Sequence, residues 1–174
     1  MAKIPFTKFK CKLNIEEKTV HIGEEVILVK QYLPIQEKLM LISNVVMQAH
    51  EQDENYSNPI KAEVYRDLEV VFAYTNISFT EKQKEDLPKL YDLLTSSGIL
   101  KLIIEAIPED EYAKICSGVW QTIDSVYKYQ NSILGILDTV KADYSDTEFD
   151  LSNIQEALGS SDLALIKDIV SKLG

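Results

Sequence analysis

"FAYTNISFTEKQKEDLPKLYDLL", residues 72–94, decides how this chain is read. Its opening residues continue a helical pattern, and "TNIS" then breaks it with β-branched and cap-type residues side by side. Thr80 followed by Gln83 is the capping-box spacing, in which each side chain satisfies a backbone N–H of the other, so a short helix starts there. Asp86 and Pro88 restart the chain again, and Leu87, Leu90, Leu93 and Leu94 carry it to Gly98, a residue suited to ending a helix. Residues 75–88 are therefore predicted to be a cap-rich corner between two core helices, with a geometric role.

The helix entering this corner begins at Asn58, which caps it, with Pro59 at its first position. Ile60, Val64, Leu68 and Val71 line its expected apolar face, and its end is expected near Thr75 or Asn76. Further upstream, "LPIQEKLMLISNVVMQAHEQ" (33–52) predicts another helix. Pro34 suits its first position, and Ile35, Leu39, Ile42, Val46 and Ala49 form its stripe. "DENYSN" (53–58) reads as a polar connector.

Near the start, "FKCKLNI" (9–15), "TVHI" (19–22) and "EVILVK" (25–30) look extended. The first alternates Phe9, Cys11, Leu13 and Ile15 with Lys8, Lys10, Lys12 and Asn14, the period of a half-buried strand. Gly23 stands where a hairpin turn would need it. A small antiparallel sheet over about residues 7–31 is expected.

Downstream of the corner, "ILKLIIEAI" (99–107) is apolar on nearly all sides and reads as a short buried helix. Pro108 opens the longest helical pattern, with Glu109, Asp110 and Glu111 at its positive end. Along it Tyr112, Cys116, Val119, Ile123, Val126, Gln130, Ile133, Leu137 and Val140 alternate four and three apart, a heptad-type seam. Unbroken, that helix would be on the order of 45 Å long; Asn131, Ser132 and Gly135 offer a place for a bend or break. The seam is expected to be an internal spine and not a dimer coiled coil. After the acidic linker "KADYSDTEFD" (141–150), Leu163, Ile166, Val170 and Leu173 form the stripe of a last helix. The fold class is thus mainly α, a helical bundle around a long central helix with a small N-terminal antiparallel β element. Residues 1–142 form the helical domain, and 143–174 an acidic linker with a C-terminal helical segment.

Composition sets limits on function. At 174 residues with 45% hydrophobic content, the chain has enough apolar surface for a substantial core. The net charge of −10 argues against nucleic acid as a partner, because phosphate contacts need a basic surface. Charge is unevenly placed: Lys3, Lys8, Lys10 and Lys12 make the start basic, while Asp143, Asp146, Glu148, Asp150, Glu156, Asp162 and Asp168 dominate the end. Both read as solvated faces. No apolar run approaches the roughly 20 residues of a membrane span, and "MAKIPFTKFKCKL" lacks the pattern of a signal peptide. A cytoplasmic protein is expected, with Cys11 and Cys116 as free thiols and the sequons at Asn55 and Asn76 as chance matches.

The residues that carry chemistry are sparse. His21 and His50, the two histidines, sit in no zinc-binding spacing. A calcium loop started at Asp53 fails at its sixth place, Asn58, and its twelfth, Val64. No phosphate-cradling glycine loop is present. No catalytic residue, metal site or cofactor is expected, and the chain does not read as an enzyme. Tyr65, Phe72, Tyr74, Phe79 and Tyr91 around the corner, and Trp120, Tyr127 and Tyr129 on the long helix, are expected to serve core packing more than recognition.

One resemblance adds direction. "VKQYLPIQEKLMLISNVV" (29–46), "NPIKAEVYRDLEVVFAYTNISFTEKQKED" (58–86), "KLYDLLTSSG" (89–98) and "AIPEDEY" (106–112) together resemble small morphogenesis-module proteins of tailed phages of Gram-positive bacteria. Within that group the chain looks most like a tail assembly chaperone or a small virion structural protein. The resemblance covers roughly residues 19–141 and rests on turns and caps, so no catalytic or ligand residue carries over. It implies a role through protein–protein contacts with phage structural proteins, for a chaperone the tape measure protein, in the host cytoplasm or the virion, with self-association open. A small acidic inhibitory protein aimed at a host defence complex is the other expectation from the residues.

Overall fold

The computed structural model describes residues 3–51 and 56–135. Helix takes up 64% of these residues, and a two-stranded antiparallel sheet lies near the N-terminus, so the molecule is mainly helical with a small β element. The chain divides into two compact units, Met1–Tyr127 and Lys128–Gly174. The acidic linker from Asp143 and the stripe at Leu163–Leu173 lie outside the described residues.

The sheet pairs β1 (Glu17–Ile22) with β2 (Glu25–Lys30), Glu17 opposite Lys30 and Ile22 opposite Glu25. Gly23, at φ +62°, takes the first of two turn positions, and Glu24 does not share that left-handed conformation. A positive φ at the first position alone is the type II′ pattern, whose twist matches the flanking strands. The expected strand at 9–15 does not form. Phe6–Phe9 makes a short 3₁₀ turn, and residues 10–16 have no regular structure and are exposed. Alternation gains nothing by itself; a strand needs a ladder partner and a surface on which to bury its apolar side, and in one chain this segment meets neither.

Helix α1 (Ile35–Ala49) follows Pro34, which stands just before it. Its inner face is Lys38, Leu41, Val45 and Ala49; the expected stripe is rotated, leaving Ile35 and Leu39 exposed. Two residues after it, β3 (His50–Glu51), pair with β4 (Tyr56–Ser57), where a plain connector was expected. Helix α2 (Pro59–Tyr74) is capped by Asn58, whose Oδ1 accepts from the N–H groups of Ile60 and Lys61 at 3.0 and 3.2 Å. It buries six residues, among them Leu68, Val70, Val71 and Tyr74, the most of any described helix. Ile60, expected on the inner stripe, is exposed.

The corner forms as its caps require. Thr80 and Gln83 close a capping box around α3 (Glu81–Lys84), and Asp86 Oδ1 accepts from Lys89 N at the start of α4 (Leu87–Ser96). The corner is also fastened to the sheet: Thr75 bridges to Val29, and Leu28 N donates to Asn76 Oδ1 at 2.9 Å. Gly98, at φ +76°, turns the chain into α5 (Ile99–Ala106), which buries Leu100, Ile103 and Ala106 while Leu102 stays exposed. Phe72 and Phe79 meet edge to face, 5.2 Å between centroids, beside the cluster of Leu68, Val71, Leu90, Leu94 and Ile103.

Helix α6 (Glu109–Gln130) ends where Asn131 and Ser132 offered a break; Ser132 N and Oγ both donate to the Tyr129 carbonyl. It sends Glu111, Ile115 and Val119 into the core, with Tyr112 and Ile123 packed at its margin. Of the expected seam Val119 is buried, Tyr112, Cys116, Ile123 and Val126 are half-buried, and the deepest residue, Ile115, lies one place off it. A Cβ on Gly118 would stand 2.5 Å from Ile42 Cδ1, so a side chain there would require the tip of Ile42 to move. Leu137 and Val140 lie outside the described residues.

Candidate functional site

Two arrangements stand apart from ordinary packing. The first is a buried carboxylate node. Lys38 is in phase with Leu41 and Val45 on α1, and Glu111 with Ile115 and Val119 on α6, so each helix presents a charge to the core. Glu111, 3% exposed, accepts from Lys38 Nζ at 2.8 Å, from Leu33 N at 2.9 Å and from Tyr74 Oη at 3.0 Å. The Lys38 ammonium also lies 4.3 Å from the centre of the Tyr32 ring, a cation–π contact. The carboxylate thus joins α1, α2 and α6, and its charge faces the positive start of α1.

Burial works against the Glu111 charge, but hydrogen bonds from Lys38, Leu33 N and Tyr74 outweigh it and hold the carboxyl below its usual range. Tyr74 moves the other way: burial first, then the Glu111 charge, pushes its hydroxyl well above the ordinary tyrosine value. Each group is thereby fixed in its ordinary ionisation state near neutrality, the opposite of the tuning a proton-transferring pair needs. The node acts as a clasp.

A second node lies beside it. Asp67 Oδ1 accepts from Arg66 Nε at 2.9 Å and from Tyr112 Oη at 3.0 Å, and burial followed by the Asp67 charge raises the Tyr112 hydroxyl. Among the described residues no buried side-chain nitrogen or oxygen lacks a hydrogen-bond partner.

The histidines stay apart from both nodes: His21 is exposed on β1, and His50 is half-buried in β3. Cys11 is an exposed free thiol and Cys116 a half-buried one. No group of three or more His, Cys, Asp or Glu residues among those described is placed to hold a metal ion. No described helix is long and apolar enough to cross a membrane. Of the aromatics, Tyr74 is buried and Tyr65, Phe72, Phe79 and Tyr91 pack in the core clusters, whereas Trp120, Tyr127 and Tyr129 are substantially exposed.

The second arrangement is the outer face of α1. Ile35, Leu39, Met40 and Met47 are between 58% and 68% exposed, and the other exposed residues of α1 are Gln36, Glu37 and Ser43. The one exposed charge of α1, Glu37, borders this face and pairs with Lys30 at 3.4 Å. An isolated exposed leucine is ordinary, but a helix apolar on both sides is usually covered on both. Met side chains suit such a contact because they adapt to a partner's shape. Sequence reasoning placed Ile35 and Leu39 inward; with apolar residues on both sides of the helix, no signal in the sequence picked the covered one.

No family model, no curated protein and no solved structure matches the chain.

Proposed function

We propose that this protein works through protein–protein contacts made by the outer face of α1, as an assembly factor or structural component of a tailed phage. The observation that carries the reading is that face of four large apolar side chains, each more than half exposed, on a helix whose opposite side is already in the core. The setting comes from the resemblance to phage morphogenesis proteins, and for a tail assembly chaperone the partner is the tape measure protein. The two buried nodes support a non-enzymatic role, since their hydrogen bonds tie α1 and α2 to α6 and no buried polar side-chain atom among the described residues is left unpartnered. A second reading, an inhibitory protein that binds a host complex, draws on the net charge of −10, which suits a basic partner surface.

Co-expression with the tape measure protein of the same gene cluster tests the first reading. The intact chain co-purifies with it, and Leu39→Glu with Met47→Glu abolishes co-purification while leaving the circular dichroism spectrum unchanged. Unchanged capture by the double variant removes α1 from the interface. Capture of a host complex in place of the phage protein favours the inhibitory reading, and mass spectrometry of purified virions separates a chaperone from a virion component.

A further inference from the structure

Residues 3–16 bury nothing in a single chain. Ile4, Phe6, Phe9, Leu13 and Ile15 are between 60% and 84% exposed, and Phe6 and Phe9 meet only as a loose ring pair at 6.2 Å. Lys10 sits in the left-handed region at φ +49°, a conformation that an L side chain takes at a cost. Within this exposed segment, residues 9–15 keep the alternation of a strand that has a face to bury. Directly after it comes β1, whose outer edge pairs with no strand among the described residues, because the sheet is β1–β2 alone. A strand-patterned segment without a ladder and a ladder without its neighbour complement one another.

Charge indicates who the partner is. The first fifteen residues carry four lysines and no acid, so the remainder of the chain carries −14 against −10 for the whole. A basic segment of this chain finds a strongly acidic body in another copy of the same chain. The pleat fixes which side of the segment faces inward, and side-chain matching chooses among the registers two residues apart. Val20 and Ile22 of β1 face the core, and directly opposed residues of an antiparallel pair share a face, so the apolar side of the segment must be matched to Val20. Placing Phe9 opposite Val20 sets Lys10 opposite Thr19 and Lys12 opposite Glu17. A slip by one residue would turn the lysines toward the core.

We infer that residues 9–13 add as an antiparallel strand to the outer edge of β1 in a second copy, with Lys12 of each chain opposite Glu17 of the other. The exchange is reciprocal about a two-fold axis, joining two hairpins into one continuous sheet and repeating each contact twice. Pairing converts Lys10 to extended backbone and covers Phe9. This dimer goes beyond the partner-binding reading and uses a different surface, so either can fail without the other.

The test is a charge exchange read by light scattering and sedimentation on the full chain. The unaltered protein is expected at twice 19.8 kDa. Lys12→Glu alone and Glu17→Lys alone each face two like-charge contacts per dimer and are expected to self-associate at least about tenfold more weakly. Mixed in equal amounts, they are expected to dimerise again, because both contacts in the mixed pair are complementary. Leu39→Glu leaves this behaviour unchanged. A monomeric unaltered chain, single variants that dimerise as well as the parent, or a mixture that stays monomeric would each overturn the proposal.

Discussion

Asp110 and Glu111 are consecutive acids on the first turn of α6, and they occupy two different regions of the molecule. Asp110 points to solvent and meets Lys114 at 3.0 Å, one helical turn on. That lysine's hydrogen bond and charge lower the Asp110 carboxyl, and the reciprocal contact raises Lys114. Glu111, one residue and a rotation of about 100° away, is held in the core by Lys38, Leu33 N and Tyr74. Both carboxyls are held below their usual range, for different reasons. At the surface, water and salt already solvate the pair, so its loss changes little. In the core each charge is the other's only opposite charge, so losing one leaves the other buried without its counter-ion.

The largest expected effect breaks the buried side of this comparison. Glu111→Ala strands the Lys38 ammonium together with the Leu33 N–H and the Tyr74 hydroxyl. It should cost about 3–5 kcal/mol in urea unfolding, with the helical signal lost at markedly lower denaturant. An unfolding midpoint close to that of the parent would mean that water reaches the node.

Acid titration sharpens the same contrast. A carboxyl whose folded value lies below its unfolded value contributes stability that is fully present above the unfolded value, near 4.5, and is lost as pH falls through the folded one. Glu111→Gln cannot titrate there, so the stability gap between parent and variant should be wide at neutral pH and narrow steadily below 4.5. Tyr74 predicts the alkaline counterpart. Its raised hydroxyl gives stability present below its unfolded value of 10.0 and lost as pH rises beyond it. Tyr74→Phe should remove that alkaline limb, and a gap that does not change with pH would contradict either assignment.

Between the extremes lies the half-buried node. Tyr112→Phe deletes the hydroxyl's bond to Asp67 but leaves the Arg66 contact in place, so thermal melting should show a loss of about 1 kcal/mol. Thr80→Ala, which removes one half of an exposed capping box, should cost about as much. The smallest effect belongs to Lys114→Ala, expected to leave the melting temperature unchanged within error. A clear loss there would show that surface pairs count for more in this acidic chain than screening allows.

The features that could be read from sequence are those whose cause lies within four residues. Asn58 with Pro59, Thr80 with Gln83, Asp86 before α4, and the turn glycines at 23 and 98 all act on neighbouring backbone, and each stands where its local chemistry places it. The break after Gln130 belongs to the same class. What could not be read was the phase of α1. Ile35, Leu39 and Ile42 make one plausible stripe, and Leu41, Val45 and Ala49 make another. A helix with apolar residues on both sides does not declare which of them faces the core. The same limit hid the Lys38–Glu111 clasp, because a charge in phase with a buried stripe looks like any surface charge until the second helix is in place. Residues 9–15 err in the other direction, a strand period with no ladder in the single chain.

By itself, then, the sequence determined the mainly helical class, the hairpin turn, and the caps at which helices begin, because these are settled by short-range sterics and hydrogen bonds. The tertiary structure alone decided which side of α1 is covered, which of two adjacent acids is buried, and that Asn76 closes onto β2. Burial is a property of where distant segments meet. The energy of a charge depends on it far more than on the residue's identity or its neighbours in the chain.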